Sequence, residues 1–272
     1  MITELTKQDF YKVRHITDQC RNIEARAVVR GTNPGSVYVD HETDITAVLI
    51  WIQGQAGFHV AGDPQSESFL SGLETYMTHS IEPKLKKCNI ELVEISVEND
   101  RWAETVQTIF NKRNLSNDNQ HVFKLSTDTA PCSNHGEYVM IHRLDGALLG
   151  SSRFENQSFL EQKITRFWDS VDEFLQHGFG YIGVHNNQVV SLCFSAFVDD
   201  KMHAIDIETL EEYRKRHYGA AVAHAFVEEC KLQGLDPYWD CTPENTGSIQ
   251  LAKSVGMTLS FNYKIFWFNV TN

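Results

Sequence analysis

The run Arg214-Lys215-Arg216-His217-Tyr218-Gly219-Ala220-Ala221 carries the densest chemical signal in the chain. Three consecutive cations lead into small residues at what reads as the start of a helix. Exposed N–H groups at a helix N-terminus, with the positive end of its dipole, favour an anion such as a phosphate. Small side chains at 219–221 let that ligand approach the backbone closely. A solvated helix face would also carry cations, but near a helix N-terminus they oppose the dipole by roughly a few tenths of a kcal/mol each. A bound polyphosphate supplies the compensation.

A strand must deliver the chain to this loop, and Ile205-Asp206-Ile207-Glu208-Thr209 reads as that strand. From residue 180 onward the pattern predicts strands at 180–185, 188–197 and 203–209, a helix at 218–232, a short strand at 238–240, a helix at 244–254 and a strand at 258–268. Thr242-Pro243 suits a helix start, with Thr as cap and Pro at the first position. Strand at 138–143 and helix over 157–176 precede this series.

The first half repeats the order. Strands are expected at 36–40, 47–52 and 57–61, then a helix at 64–87, a strand at 91–97, a helix at 102–112 and a strand at 121–125. Both halves therefore read βββαβαβ, either a duplicated fold or a common α/β order met twice. The polar stretch 127–136 is the best linker, which divides the chain into domains 1–130 and 131–272.

Residues 214–219 resemble the pyrophosphate loop of the GNAT N-acetyltransferase superfamily, Arg/Gln-x-x-Gly-x-Gly/Ala, with His217 standing where the first Gly is usual. Trp239-Asp240-Cys241-Thr242-Pro243-Glu244-Asn245-Thr246-Gly247-Ser248, followed by Val255-Gly256-Met257, is similar to the family's short strand, Asn-bearing helix and terminal Gly-Phe. With Phe179-Gly180-Tyr181, Val190-Ser191 and 234–241, the chain looks like the zwittermicin-resistance-type branch. The likeness covers about 138–268.

The resemblance implies an α/β (α+β) fold, a GNAT-like mixed sheet flanked by helices, preceded by a divergent N-terminal domain that shares its topology. It implies acetyl-CoA as cosubstrate, contacted by Ile207, Thr209, Arg214, Lys215, Arg216, His217, Tyr218, Gly219, Ala220, Asn245 and Ser248. The reaction implied is direct acetyl transfer to a primary amine, expected on a small molecule. A non-catalytic acyl-CoA-binding module and a protein N-acetyltransferase are the alternatives.

Such transfer needs the thioester held beside the amine, its carbonyl polarised and a proton accepted. Candidate bases are Glu208, His203 and Asp206, in that order. Strand alternation puts His203, Ile205, Ile207 and Thr209 on one face and both carboxylates on the other. A bulge would swap the faces. Carboxylates in a core-like strand are costly unless paired or functional. The family's general-acid Tyr is replaced by Ala252, for which Tyr218 or Tyr263 could substitute. In the first half the equivalent loop, 60–67, has no basic residue, so no phosphate site is expected there.

Composition sets the outer limits. The 272 residues exceed one ordinary domain, and 42% hydrophobic with 11% aromatic content excludes a disordered chain. A net charge of −12 argues against nucleic acid as partner, while an acidic acceptor cleft suits a cationic amine. No apolar run reaches the roughly 20 residues of a membrane span, and Met1-Ile2-Thr3-Glu4-Leu5 shows no secretory signal. Six scattered cysteines form no CxxC or zinc-like spacing, so no metal is expected and a cytoplasmic location is. Oligomeric state stays open, a homodimer included.

Overall fold

The alternating strand and helix signals are realised in a computed structural model that describes residues 1–126, 139–151 and 153–271. Two units emerge, Met1–Gln120 with Asn262–Asn272, and His121–Phe261. The last stretch of chain thus groups with the first unit and not, as the 131–272 boundary had it, with the second. The linker expected at 127–136 and the first residue of the strand expected at 138–143 lie outside the described residues.

The first unit contains β1 (Thr3–Leu5), α1 (Arg14–Thr17), α2 (Ile23–Arg30), β2 (Gly35–Val39), β3 (Ala47–Ile52), β4 (Gly57–Gly62), α3 (Glu67–Tyr76), α4 (Glu82–Lys87), β5 (Leu92–Val97) and α5 (Asp100–Ile109). Sequence periodicity gave no element before residue 36. There α2 forms because Asn22 caps it, its side chain accepting from the Ala25 N–H, and Gly31 ends it at φ 81°. Helix α2 packs on β3, while Ala47 and Leu49 meet Phe69, Leu73 and Trp102 on the other side. Burial on both faces explains why residues 47–52 show no polar alternation. The helix expected over 64–87 is broken by a π-turn at Met77–Ile81 before α4, whose Pro83 lacks the N–H that a continuous ladder requires.

The second unit takes up the chain within β6 (Ser116–Leu125). It continues with β7 (Met140–Arg143), α6 (Gly146–Leu149), α7 (Gln157–Phe167), α8 (Val171–His177), β8 (Gly180–His185), β9 (Gln188–Asp199), β10 (Met202–Thr209), α9 (Tyr218–Gln233), β11 (Asp236–Cys241) and α10 (Thr246–Ser254). The helix expected over 157–176 is two helices. Trp168 is extended, and Ser170 caps α8 by accepting from the Glu173 N–H. The final strand, β12 (Met257–Asn269), begins in the second unit and finishes in the first.

Both series keep the order read from the sequence, but their closing strands are exchanged. The first unit runs β1-β2-β3-β4-β5-β12, with Lys264 to Asn269 pairing antiparallel to β5. The second runs β6-β11-β10-β9-β8-β7, with His121 to Lys124 pairing antiparallel to β11. Helix α9 covers one face of β8, β9 and β10 and buries Val222, Phe226 and Cys230 against Phe179, Cys193 and Trp239. No described helix is long and apolar enough to cross a membrane.

Candidate functional site

Strands β10 and β11 are parallel neighbours only from Met202/Asp236 to Ala204/Tyr238. Beyond that point β10 continues to Thr209 and β11 to Cys241. Each keeps its outer partner, β10 holding β9 as far as Thr209/Ser191 and β11 holding β6 as far as Cys241/His121. The two strands therefore part while their outer edges stay fixed, which turns the inner edge of Ile205–Thr209 toward a gap.

A cavity of about 840 Å³ lies there. Ile207, Glu208 and Thr209 of β10 line it, with Arg214, Lys215 and His217 of the loop and Tyr218, Gly219 and Ala220 of α9. Asn245 and Ser248 line it from the start of α10. Of the predicted coenzyme contacts, Arg216 alone is not in the lining; its guanidinium lies 5.4 Å from the ring centre of Tyr213, which is. An aromatic face satisfies that cation without an anion.

The loop adopts the backbone that its glycine-poor sequence left in question. Lys215 and His217 are both left-handed, at φ 62° and 63°. For a residue with a Cβ each such conformation costs about 1 kcal/mol. Left-handed residues bracketing Arg216 turn successive N–H groups into a concave anion cradle. His217 is the N-cap of α9 without a side-chain cap bond, so the first turn keeps donors for a ligand. Gly219 suits its place, because a Cβ there would lie 3.0 Å from Thr209 Oγ1, a tight contact. Its absence lets α9 begin against the end of β10. Thr209 is itself fixed by Ser191, whose Oγ lies 2.8 Å away and donates to the Glu208 carbonyl at 3.0 Å.

The three base candidates separate. His203 is buried and does not line the cavity. Its Nδ1 is 2.9 Å from Ser195 Oγ and its ring 5.3 Å from that of Phe179. Burial lowers its pKa to about 4, so it is a neutral core histidine and is corrected out of the catalytic set. The register slips between Ala204 and Ile205 because β9 carries an extra residue, Ala196, leaving alternation along β10 intact. Asp206 faces α7 with Phe194 and, unlike Glu208 on the same face nearer the end of the strand, does not line the cavity. Burial raises its pKa, opposed by the charges of Arg166 and Lys163. It too is corrected. Glu208 does line the cavity and forms an ion pair with Lys163 of α7.

The start of α10 also departs from expectation. Its cap is Asn245, accepting from the Ser248 N–H at 3.0 Å, rather than Thr242. Ser248 Oγ accepts from the Trp239 indole at 2.8 Å. Both side chains are thus partly occupied in building the wall they belong to. Ala252 is fully buried, whereas Tyr218 lines the cavity with its hydroxyl 3.4 Å from His185 Nδ1. Sequence reasoning missed Tyr213, His224, Gln250, Leu251 and Ser254 in the lining. The spacing 247, 250, 251, 254 marks one helical face, and His224 stands one turn beyond Ala220.

Comparison with known proteins completes the description. A family model described as GNAT acetyltransferase matches residues 14–266. An uncharacterized N-acetyltransferase, YdfB, of Bacillus subtilis (strain 168) is 26% identical over 270 residues, covering 98% of each chain. A GCN5-related N-acetyltransferase-like protein from Streptococcus suis has a similar structure, with TM-score 0.69, 20% identity and coverage of 96% of this chain and 98% of that one. A tandem GNAT protein from the clavulanic acid biosynthesis pathway, solved without AcCoA, gives TM-score 0.60 at 10% identity, covering 100% and 99%.

Proposed function

Because the chain belongs to the GNAT acetyltransferase family, and is an acyltransferase on that ground, we propose that its second unit transfers the acetyl group of acetyl-CoA to a primary amine of a small molecule. The observation that carries this reading is the parting of β10 from β11 beside a cationic, left-handed loop at the start of α9. Arg214, Lys215 and the first N–H groups of α9 would hold the pyrophosphate. The gap between the strands accepts the pantetheine arm, with Asn245 and Ser248 alongside. The inner-edge amides near Ile207 and Thr209 would orient and polarise the thioester carbonyl.

Glu208 is the base in this scheme. It takes a proton from the acceptor ammonium, and the freed amine attacks the carbonyl carbon as the C–S bond breaks. Lys163 keeps the carboxylate in place through the ion pair. Tyr218 is the side chain best placed to return a proton to the departing thiolate. The zwittermicin-resistance-type branch remains our assignment within the family, on residues 179–181 and 234–241.

Calorimetry with acetyl-CoA tests the coenzyme site. One equivalent should bind, and Arg214→Glu should weaken binding at least tenfold, as loss of a charge-assisted phosphate contact requires. Unchanged affinity in that variant would refute the loop assignment. Thiol release measured over a panel of small amines and peptides tests the acceptor. Release with peptides alone would replace the small-molecule reading by protein acetylation, and binding without release from any amine would sink the transfer mechanism.

A further inference from the structure

The first unit has its own parted strands. Parallel pairing of β4 with β5 extends only over Phe58/Ile95 and His59/Ser96, and a cavity of about 480 Å³ lies beyond it. The register sets His59 opposite Ser96, and Glu98 follows two residues later, on the same side of the sheet. Helix α1 lies on β4, so the turn that leads to α2 brings Cys20 over that side. The ligating atoms of Cys20, His59 and Glu98 all lie within 4.8 Å of one another. Cys20 is 8% exposed and His59 is 1%.

The surrounding hydrogen bonds engage one ring nitrogen of His59 and leave the other without a partner. Ser96 Oγ donates its proton to the Phe58 carbonyl at 3.1 Å. It also lies 2.8 Å from His59 Nδ1, which occupies that ring nitrogen and leaves Nε2 as the atom for a further ligand. That Nε2 is buried with no hydrogen-bond partner among the described residues. It points at Glu98 Oε1, 3.9 Å away. A buried ring nitrogen without a hydrogen-bond partner is costly unless a ligand engages it, and a cation bound between it and the carboxylate would satisfy both. Glu98 is likewise oriented from outside, accepting from the Arg21 N–H at 3.0 Å and the Asn22 N–H at 2.5 Å. An imidazole fixed by its second nitrogen and a carboxylate held by backbone amides are the outer supports that metal ligands require.

We propose that Cys20, His59 and Glu98 form a binding site for a borderline divalent transition metal of the zinc class, with its fourth position open to the cavity. One sulfur, one imidazole nitrogen and one carboxylate oxygen suit such an ion. Ligand distances of about 2.0–2.3 Å require the three donors to close by roughly 1 Å. Binding takes the proton from the Cys20 thiol and releases it to buffer. The site is independent of acetyl transfer and lies wholly in the first unit.

The test uses the full chain, freed of metal with a chelator and titrated with Co²⁺. We expect one equivalent per chain with a thiolate-to-cobalt absorption band in the near ultraviolet, bleached by Zn²⁺. The band should vanish in Cys20→Ser and persist in Cys88→Ser, since Cys88 is exposed and is not one of the three clustered donors. Circular dichroism establishes that each variant folds. Should Cys20→Ser fail to fold, Glu98→Gln keeps an oxygen that accepts one of the two backbone N–H bonds and should weaken Co²⁺ at least tenfold. Absence of the band in the wild type, or unchanged binding in either folded variant, overturns the proposal.

Discussion

The two units share one topology and put it to different use. In each, a parallel strand pair separates after a few residues and leaves a cleft. In the second, the loop after β10 carries cations and left-handed residues, and α9, like α3 of the first unit, starts without a side-chain cap bond. In the first, the loop after β4 is closed on itself. The Asp63 N–H donates to the Thr46 carbonyl at 2.8 Å, Gln65 N–H to Asp63 Oδ1 at 2.9 Å, and Ser66 Oγ to Asp40 Oδ2 at 2.8 Å. The Trp102 indole donates to the Gly62 carbonyl at 3.0 Å. Donors already satisfied within the protein have nothing left for a phosphate. The cleft is a property of the topology, and what it binds is decided by where the loop's N–H groups go.

The largest effect should come from the base candidate that lines the second cleft. Replacing Glu208 by Gln should lower turnover about 10²- to 10⁴-fold with acetyl-CoA affinity little changed, a split that steady-state kinetics and calorimetry separate. Retention of full turnover would remove the base and much of the contrast between the clefts.

Next is the buried histidine of the second unit. His203 is neutral in the fold down to about pH 4, against roughly 6.5 when unfolded. Between those values the unfolded chain binds more protons. Its contribution is therefore complete above about pH 6.5 and lost progressively as pH falls to 4, by roughly 3 kcal/mol in all. Urea denaturation at pH 7.5 and 4.5 should show a smaller loss in His203→Asn than in the wild type; parallel losses would contradict the assignment. His59 in the first unit is lowered by burial in the same direction.

Two left-handed positions sharpen the comparison of the loops. Gly62, at φ 92°, has the Thr46 carbonyl oxygen 2.1 Å from where a Cβ would lie, so Gly62→Ala should destabilise by about 2 kcal/mol or more. His217→Gly should do the opposite, relieving αL strain for a gain below about 1 kcal/mol after the added freedom of the unfolded chain. Thermal denaturation reads both. Opposite shifts of that kind would mark the first loop as built for closure and the second as strained for binding.

Much of this was legible along the chain. Periodicity marked the strands and helices of both series, because each buries a face with its own repeat, and 214–220 announced an anion site through charge and small residues. Breaks were harder to read. The π-turn before Pro83 and the extended Trp168 interrupt helices whose apolar spacing continues across them. Residue type could not rank His203, Asp206 and Glu208, since rank depends on which of these side chains reaches the cavity.

The sequence alone determined the βββαβαβ order, the family likeness and the loop that distinguishes one half from the other. These are local properties, written in spacing, charge and side-chain size. Only the tertiary structure decided that the closing strands are exchanged between units, that His203 is core while Glu208 reaches the cavity, and that Cys20, His59 and Glu98 meet. Each of those depends on register and on which strands become neighbours, and contacts between residues tens of positions apart leave no periodic trace in the chain.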